Sequence, residues 1–428
     1  MEEIRFDADR SQRAFLVGVQ QEGLGRAEAE EHLDELASLV DTMGAEAVGR
    51  ELARIGRPQP HFYLGSGKAE QIRQHAIDAG ADVLVFDIDL SPSQQRNWEK
   101  FTELAVIDRQ EVILDIFAGR ARTREARLQV GLARMQYSLP RLRRAWSHLE
   151  RQRGGAGLRG GPGELQLEVD RRVVTDRIAR LKRELAEVRK QRRVQRQARQ
   201  ARPIPVAAIV GYTNAGKSSL LRALTGADVF IEDKLFATLD PTTRRIELPN
   251  RQPLLLTDTV GFIRKLPHDL VEAFKATLEE ARIADFLVHV LDVSHPRMAE
   301  HYRVTGEVLE ELGAAGKPTI VALNKIDRDH DPAVVAAMAR RERLSFPVST
   351  HTGRGLDLLT EAMARHFVLP MRRYSLLIPH DRFDMVDLVH REGEVLTQSH
   401  EADGVRIEAD IPVRFRDRFE PFIRIVDE

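Results

Sequence analysis

GYTNAGKS, at residues 211–218, is the stretch that decides the fold. It fits the pattern G-x-x-x-x-G-K-[ST], in which backbone N–H groups surround phosphate oxygens, the lysine adds a positive charge and the final hydroxyl reaches Mg²⁺. The apolar run VAAIV (206–210) precedes the motif, and SSLLRALTG (218–226) follows it with helical character. A strand, a glycine-containing loop and a helix in this order predict a P-loop.

Two further motifs follow in the order that a guanine-nucleotide domain requires. DTVG (258–261) ends the apolar run PLLLT, so that Asp258 can hold a Mg²⁺-bound water and the Gly261 N–H can approach the γ-phosphate. NKID (324–327) follows TIVAL, and the Asp327 carboxylate can accept two hydrogen bonds from guanine that adenine does not offer. Together the three motifs predict a GTP-binding domain with GTP as substrate and Mg²⁺ as cofactor.

The first switch must lie between the P-loop and DTVG, within LFATLDPTT (235–243). A threonine there would bind Mg²⁺ and sense the γ-phosphate. Thr238, Thr242 and Thr243 all qualify on the residues alone, so the assignment stays open at this point.

A fourth segment, VSTH (348–351), follows LSFP and lies 22 residues beyond Asp327 at its Ser349. A backbone N–H between Ser349 and His351 could contact the guanine O6. The segment is a weak signal by itself and gains weight only from the three motifs before it.

One position departs from the pattern of many GTPases. Phe262 follows Gly261, where many GTPases carry a glutamine that orients the attacking water. Because phenylalanine cannot orient water, we expect slow intrinsic hydrolysis, with the missing group supplied by a partner, a rearranged switch or a cation. Asn214 could offer its side-chain carbonyl to a monovalent cation, or it could only stabilise the loop, and the two interpretations weigh equally.

The chain has 428 residues, which is too long for one ordinary domain. Strand and helix patterns alternate at both ends of the chain, for example in AFLVGVQ (14–20) and EAEEHLDELASLVDTM (28–43), and they predict α/β domains. The apolar strands around the P-loop are typical of a doubly wound, mostly parallel sheet. The predicted domains are an N-terminal α/β domain (1–118), a basic antiparallel helical hairpin (119–202), a GTPase domain (203–368) and a small C-terminal α/β domain (371–428).

Composition excludes several classes of function. There is no cysteine, so disulfides, thiolate nucleophiles and cysteine metal sites are excluded. The N-terminal residues MEEIRF lack a secretory apolar core, and no apolar run approaches the roughly 18 to 20 residues of a membrane span. We therefore expect a cytoplasmic protein.

The formal net charge of −1 conceals a strong asymmetry. Residues 120–202 hold 24 Lys and Arg against 8 Asp and Glu, a charge of +16. Heptad seams over 128–149 and 174–188 predict two long helices, and GGAGLRGGPGELQLE (154–168) predicts a flexible loop between them. A basic hairpin of this kind favours contact with folded RNA, whereas a plain coiled-coil spacer would leave the loop glycines unexplained. The arginines expected to contact RNA are Arg151, Arg153, Arg159, Arg171 and Arg172.

Six stretches together resemble the HflX family, ribosome-associated GTPases of the Obg-HflX class. They are FYLGSGKAEQI, YSLPRLRRAW, GGAGLRGGPGELQLEVDRR, GYTNAGKSSLL, LFATLDPTTR and DTVGFIRKLP. The resemblance covers essentially the whole chain and implies the four-domain order given above. It also implies that Thr238 is the switch threonine on Mg²⁺ and that Phe262 is the family's hydrophobic replacement for glutamine. The chain departs from the family in RGGPGELQLE, which has one more glycine and Leu165 for threonine, and in STH at the base-contact loop.

With the resemblance, the motifs give a full set of expected site residues. The catalytic residues are Lys217, Thr238 and Gly261, and the metal ligands are Ser218 and Thr238. The expected GTP contacts are Gly211, Tyr212, Thr213, Asn214, Ala215, Gly216, Lys217, Ser218, Phe236, Ala237, Thr238, Leu239, Asp240, Asp258, Thr259, Val260, Gly261, Asn324, Lys325, Ile326, Asp327, Ser349, Thr350 and His351.

The resemblance implies a monomeric, partly ribosome-associated factor. Such a factor binds the large ribosomal subunit and its RNA, and in the GTP state separates stalled ribosomes into subunits. The family also suggests purine-nucleotide binding by the N-terminal domain, which no residue here supports. Three alternatives stay open: a large-subunit assembly GTPase, an RNA remodeller driven by nucleotide in the N-terminal domain, and a signalling GTPase with a protein partner.

Overall fold

The computed structural model describes residues 12–145, 162–199, 204–226, 234–264, 280–366 and 371–426. The chain forms two compact units. The first unit contains the described residues up to 186 together with 234–240. The second unit contains the remaining described residues.

The first unit contains a four-stranded sheet in which every pairing is parallel, with the strand order β2-β1-β3-β4. Six of the eight residues of the central strand β1 are buried, which fits a strand covered on both faces. The strands are β1 (Arg13–Gln20), β2 (Glu46–Arg54), β3 (Val83–Phe86) and β4 (Ala105–Asp108). The helices are α1 (Arg26–Met43), α2 (Ser66–Asp78), α3 (Pro92–Thr102), α4 (Arg109–Arg120), α5 (Arg124–Ala145) and α6 (Pro162–Arg199), the last of which continues into the second unit.

An aromatic cluster forms the core on one side of this sheet. Trp98 is fully buried and its ring lies 5.1 Å from Phe62 and 5.0 Å from Phe86. The Trp98 indole N–H donates to the Phe62 carbonyl at 2.8 Å, so the one polar atom of the ring is satisfied. Ser91 begins α3 with a capping box to Gln94, which fixes where the helix starts.

Helix α5 is held in the first unit by a buried polar cluster around Asp108. The Asp108 carboxylate caps α4 by accepting from the Glu111 N–H at 3.0 Å, and it also accepts from Tyr137 at 3.0 Å and from Arg141 at 3.0 Å. The Arg141 guanidinium lies 3.4 Å from the centre of the Tyr137 ring. Tyr137 and Arg141 both belong to YSLPRLRRAW, so this stretch joins the hairpin to the α/β layer.

The seams predicted for the hairpin agree with the burial where the structure describes it. Leu128 and Leu132 of α5 and Leu181 and Leu185 of α6 are buried. Pro140, expected to kink or end the first helix, lies inside α5, which continues to Ala145. Residues 162–168, predicted as part of the glycine-rich loop, are instead the first residues of α6, since proline is well suited to the first position of a helix. The rest of that loop and the end of the first seam lie outside the described residues.

The second unit contains the sheet that carries the P-loop, with the strand order β10-β9-β8-β5-β7-β6. All its pairings are parallel except β6 with β7. The strands are β5 (Val206–Gly211), β6 (Thr242–Glu247), β7 (Pro253–Asp258), β8 (Phe286–Asp292), β9 (Thr319–Asn324) and β10 (Ser345–Pro347). The helices are α7 (Lys217–Thr225), α8 (Met298–Glu311), α9 (Pro332–Arg341) and α10 (Leu356–His366).

The C-terminal residues form an antiparallel sheet with the strand order β12-β13-β11-β14. Its strands are β11 (Met371–Ile378), β12 (Glu394–Glu401), β13 (Gly404–Pro412) and β14 (Ile423–Val426), and its helices are α11 (Phe383–Glu392) and the single turn α12 (Arg416–Phe419). Alternate residues of β11 and β13 are buried in a core that includes Phe419. The predicted fold class, a multidomain α/β chain with a mostly parallel P-loop sheet, is confirmed. No helix among the described residues is long and apolar enough to cross a membrane.

We expect the stability of the first unit to depend on the ionisation of Glu111. Burial, with Asp108 and Asp115 nearby, raises the pKa of Glu111 from 4.5 to about 7. The folded chain therefore holds a proton that the unfolded chain releases, so stability falls as pH rises between these two values. We expect Glu111→Gln, which cannot ionise, to reduce this loss by about 1–2 kcal/mol between about pH 5 and about pH 8.

The measurement is urea unfolding followed by tryptophan fluorescence, since Trp98 is buried in this unit. Glu22→Gln is the matched control, because Glu22 is exposed and undergoes the same change of charge. Equal pH dependence in the wild type and in Glu111→Gln would show that Glu111 titrates normally.

Candidate nucleotide-binding site

The P-loop is the turn between β5 and α7, and its glycines are required by space. A Cβ atom on Gly211 would lie 2.4 Å from the Val290 carbonyl oxygen, and one on Gly216 would lie 2.2 Å from Asn324 Nδ2. Gly216 also has φ of +100°, which L side chains rarely adopt. The turn therefore lies directly against β8 and against the NKID segment.

Lys217 is buried at the start of α7. Its Nζ donates to the Tyr212 carbonyl at 2.8 Å, so the ammonium is held inside the P-loop. Burial lowers the pKa of Lys217 to about 8, against the opposing effect of Asp258. Lys217 is thus mostly protonated at neutral pH and offers a positive charge with little surrounding water, which strengthens its attraction for a phosphate.

Ser218 and Asp258 place two side-chain oxygen groups next to each other beside the P-loop. The Ser218 hydroxyl donates to Asp258 Oδ2 at 2.6 Å, and Asp258 is fully buried. Mg²⁺ prefers hard oxygen donors such as one hydroxyl and one carboxylate, with water and phosphate completing its shell. The residues present therefore fit a phosphate-bound Mg²⁺.

The DTVG segment is joined to the P-loop by backbone hydrogen bonds. The Thr213 N–H donates to the Phe262 carbonyl at 2.7 Å, and the Phe262 N–H donates to the Gly211 carbonyl at 3.1 Å. Thr259 is also fixed, because its hydroxyl donates to the Ile209 carbonyl at 2.6 Å. The Phe262 side chain is fully buried, so it packs in the core rather than facing water.

Sequence patterns gave no sign of an aromatic contact behind the P-loop. The Tyr212 ring is stacked on His301 of α8, with ring centres 3.7 Å apart and an angle of 6° between the planes. The Tyr212 hydroxyl accepts from the Arg264 N–H at 2.9 Å. Tyr212 therefore connects α8 to the segment after DTVG. Because Tyr212 and His301 are 89 positions apart, no periodicity in the sequence could indicate that their rings stack.

The NKID segment at the end of β9 is joined to the P-loop by side chains. Asn324 is fully buried; its Nδ2 donates to the Ala215 carbonyl at 2.9 Å, and its Oδ1 accepts from the Thr350 N–H at 3.1 Å. Lys325 donates to the Asn214 carbonyl at 2.8 Å and pairs with Asp292 at 2.7 Å. The structure thus brings together all four segments predicted from the sequence: the P-loop, DTVG, NKID and, through Thr350, VSTH.

Asp327 extends from the same turn toward the base-contact loop. The Ser349 hydroxyl donates to Asp327 Oδ1 at 2.6 Å, and this hydrogen bond lowers the pKa of Asp327 below its usual value. His351 Nδ1 lies 4.0 Å from Asp327 Oδ2. An ionised carboxylate held in this way can accept hydrogen bonds from two N–H groups of a flat ligand, as guanine recognition requires.

Residues 235–240 of the predicted switch segment, including Ala237, Thr238 and Leu239, belong to the first unit. The other two candidate threonines, Thr242 and Thr243, begin β6 in the second unit. Asp240 accepts hydrogen bonds from the Arg122 and Thr123 N–H groups at 3.1 Å, and from the Thr123 hydroxyl, at the start of α5. The Phe236 ring is buried and lies 4.7 Å from Phe117 in an edge-to-face contact. Several hydrogen bonds and one ring contact therefore fix both ends of the segment that carries Thr238.

The arginines predicted to contact RNA are described only in part. Arg171 and Arg172 are exposed on α6. Arg151, Arg153 and Arg159 lie outside the described residues. Their contact with RNA stays a prediction.

We expect Gly261→Ala to disrupt the joint between DTVG and the P-loop. A Cβ atom at this position would lie 2.7 Å from Thr213 Cα and 2.9 Å from Lys217 Nζ, and the first of these atoms belongs to the backbone and cannot move alone. GTP turnover should fall by about tenfold or more, which corresponds to about 1.4 kcal/mol. Gly306→Ala, in open space within α8, is the control and should retain turnover. Normal turnover in Gly261→Ala would show that GTP hydrolysis does not depend on the close contact between Gly261 and Thr213.

We expect Asp327→Asn to change the preference for the base. An amide would present one donor and one acceptor in place of two acceptors, which suits xanthine better than guanine. The measurement is competition between GTP and XTP for the purified protein, with Asp329→Asn as a control at a nearby aspartate. Unchanged selectivity for GTP would remove Asp327 from base recognition.

Three protein-family models match the chain: "GTP-binding GTPase N-terminal" at residues 30–118, "GTP-binding GTPase Middle Region" at 120–199 and "50S ribosome-binding GTPase" at 206–325. Among solved structures, a GTP-binding protein from Sulfolobus solfataricus in complex with GDP is 26% identical. It covers 83% of this chain and 98% of its own, with a TM-score of 0.45.

Two curated relatives match along almost their entire length. The GTPase HflX of Akkermansia muciniphila is 49% identical and covers 99% of this chain and 99% of its own. The GTPase HflX of Caldanaerobacter subterraneus subsp. tengcongensis is 42% identical over 99% of this chain and 96% of its own. Because identity of this extent spans all parts of the molecule, the chain belongs to the HflX family of GTPases, within the class of ribosome-associated GTPases.

Proposed function

We propose that this GTPase binds the large ribosomal subunit and, in its GTP state, separates stalled ribosomes into subunits. The observation that carries the nucleotide part is the convergence of the P-loop, DTVG and NKID at one edge of one sheet. The ribosomal part is supported by the family and by the +16 charge of residues 120–202. A charge of this size attracts a polyanion such as RNA.

The proposed roles of the site residues follow from their contacts. Lys217 and the P-loop N–H groups hold the β- and γ-phosphates, and Asp327 with the Ser349–His351 loop holds the base. Ser218 and Thr238 are the proposed ligands of Mg²⁺, with Asp258 holding a water of its shell. When bound, Mg²⁺ would neutralise charge on the phosphates. The Gly261 N–H is the proposed donor to the γ-phosphate.

The environment of Phe262 supports the proposal that GTP turnover depends on a partner. Its side chain is buried and its backbone is paired with the P-loop, so it offers no polar group to an attacking water. Slow turnover in isolation and stimulation by the ribosome are therefore proposed together. A monovalent cation beside Asn214 stays a prediction.

Two alternatives share part of this support. A large-subunit assembly GTPase would use the same site and the same basic hairpin, but on immature particles. An RNA remodeller would hydrolyse nucleotide in the N-terminal domain, and that activity would survive the loss of Lys217.

The decisive measurement is GTP turnover with and without purified large subunits over a range of salt concentrations. We expect stimulation of about tenfold or more that weakens as salt rises, because binding to RNA releases counterions. Lys217→Ala should abolish turnover in both conditions. Absence of stimulation would contradict the ribosomal proposal, and turnover in Lys217→Ala would favour the remodeller.

Sedimentation of mature ribosomes with the protein and a non-hydrolysable GTP analogue then separates splitting from assembly. Splitting predicts free subunits. A protein that leaves mature ribosomes intact but binds immature large particles would favour the assembly alternative.

A further inference from the structure

A groove of about 430 Å³ lies between α5 and α6 within the first unit. Its floor is apolar, with Leu128 and Met135 from α5 and Leu181 from α6. This volume lies within the range of small-ligand sites and is enough for one nucleotide unit. None of its lining residues belongs to the nucleotide motifs or to the predicted glycine-rich loop.

The rim of the groove is strongly basic. Arg124, Arg127 and Arg177 line it and are exposed. Within the described part of the chain, neither Arg124 nor Arg177 makes an ion pair or a side-chain hydrogen bond, and Arg127 makes one long hydrogen bond, to the Ala121 carbonyl at 3.4 Å. The one acidic lining residue, Glu184, has Arg180 3.7 Å away. The rim therefore presents positive charge that is largely not neutralised by the side chains that the structure describes.

Gly131 is the unusual residue of the floor. It lies inside α5, where glycine is less favourable than alanine. Space does not require glycine there, since a Cβ atom would meet only Leu181 Cδ1, at 3.9 Å, an ordinary contact. The consequence of the missing side chain is that the floor of the groove stays open.

We propose that this groove takes one unpaired nucleotide of an RNA strand. The base lies on the apolar floor opened by Gly131, and the phosphates on either side contact Arg124, Arg127 and Arg177. Guanidinium groups suit this role because they bind phosphate oxygens in pairs and stack on bases. An RNA strand fits better than a free nucleotide because the three arginines are exposed along the rim, within a segment of charge +16. The assignment rests on the proposed function, which makes RNA the partner of the hairpin.

The test uses the full chain and two fluorescent RNA hairpins that differ only by a single bulged nucleotide. We expect the wild type to bind the bulged hairpin about tenfold more tightly, because only an unpaired base can enter the groove. Gly131→Met fills the floor with a residue that favours helix, so it should remove the preference for the bulge without unfolding α5. Arg177→Glu should weaken binding of the bulged hairpin more than binding of the paired one.

Arg183→Glu is the matched control, since Arg183 is exposed on the same helix, undergoes the same change of charge and does not line the groove. It should keep the preference for the bulge. Equal affinity of the wild type for both hairpins would overturn the proposal, and so would a preference that persists in Gly131→Met. Displacement of the RNA by free mononucleotide at micromolar concentration would also overturn it, in favour of a small-ligand site. Failure of large subunits to stimulate wild-type GTP turnover would instead count against the proposed function, so the two failures are distinguishable.

Discussion

The site in the second unit depends on one close backbone approach, that of Gly211 to the Val290 carbonyl of the neighbouring strand. The absence of a side chain at Gly211 lets β5 lie against β8 where the P-loop begins. From that point the loop turns under Asn324, which comes from the next strand, β9. Because β5, β7, β8 and β9 are parallel, their carboxyl ends meet at one edge, and the three motifs can combine there.

At the same edge, the residue that follows DTVG is the hydrophobic Phe262. The Phe262 backbone completes a short pairing with the P-loop, and its side chain fills core space. A glutamine in the same backbone geometry would bury an amide that needs hydrogen-bond partners, at a cost of about 1–3 kcal/mol if they were missing. Phenylalanine at this position is thus compatible with the backbone pairing between DTVG and the P-loop, but it offers no polar group that could orient water.

The sequence predicted the strands best where both faces of the strand are buried. The apolar runs VAAIV, PLLLT and TIVAL lie in β5, β7 and β9, because strands buried on both faces carry continuous apolar residues. Strands β2 and β12 gave no such signal, since both are sheet edges with mostly exposed or half-buried residues. The GTP motifs were recognisable because each consists of particular residue types at a fixed spacing. The stacking of Tyr212 on His301 was not, because it depends on tertiary contact alone.

Asp240 and Phe236 anchor the segment that carries Thr238 to residues that precede the predicted GTPase domain. A domain limit at residue 203 leaves every nucleotide motif in the C-terminal fragment. That fragment lacks Thr123 and Phe117, which contact Asp240 and Phe236 on either side of Thr238. A fragment made at that limit would have Thr238 on a tethered loop without these contacts. Its enzymology would then describe a different molecule from the whole chain. Gene fusions or deletions that separated these parts would likewise remove these contacts without changing any residue of the P-loop, DTVG or NKID.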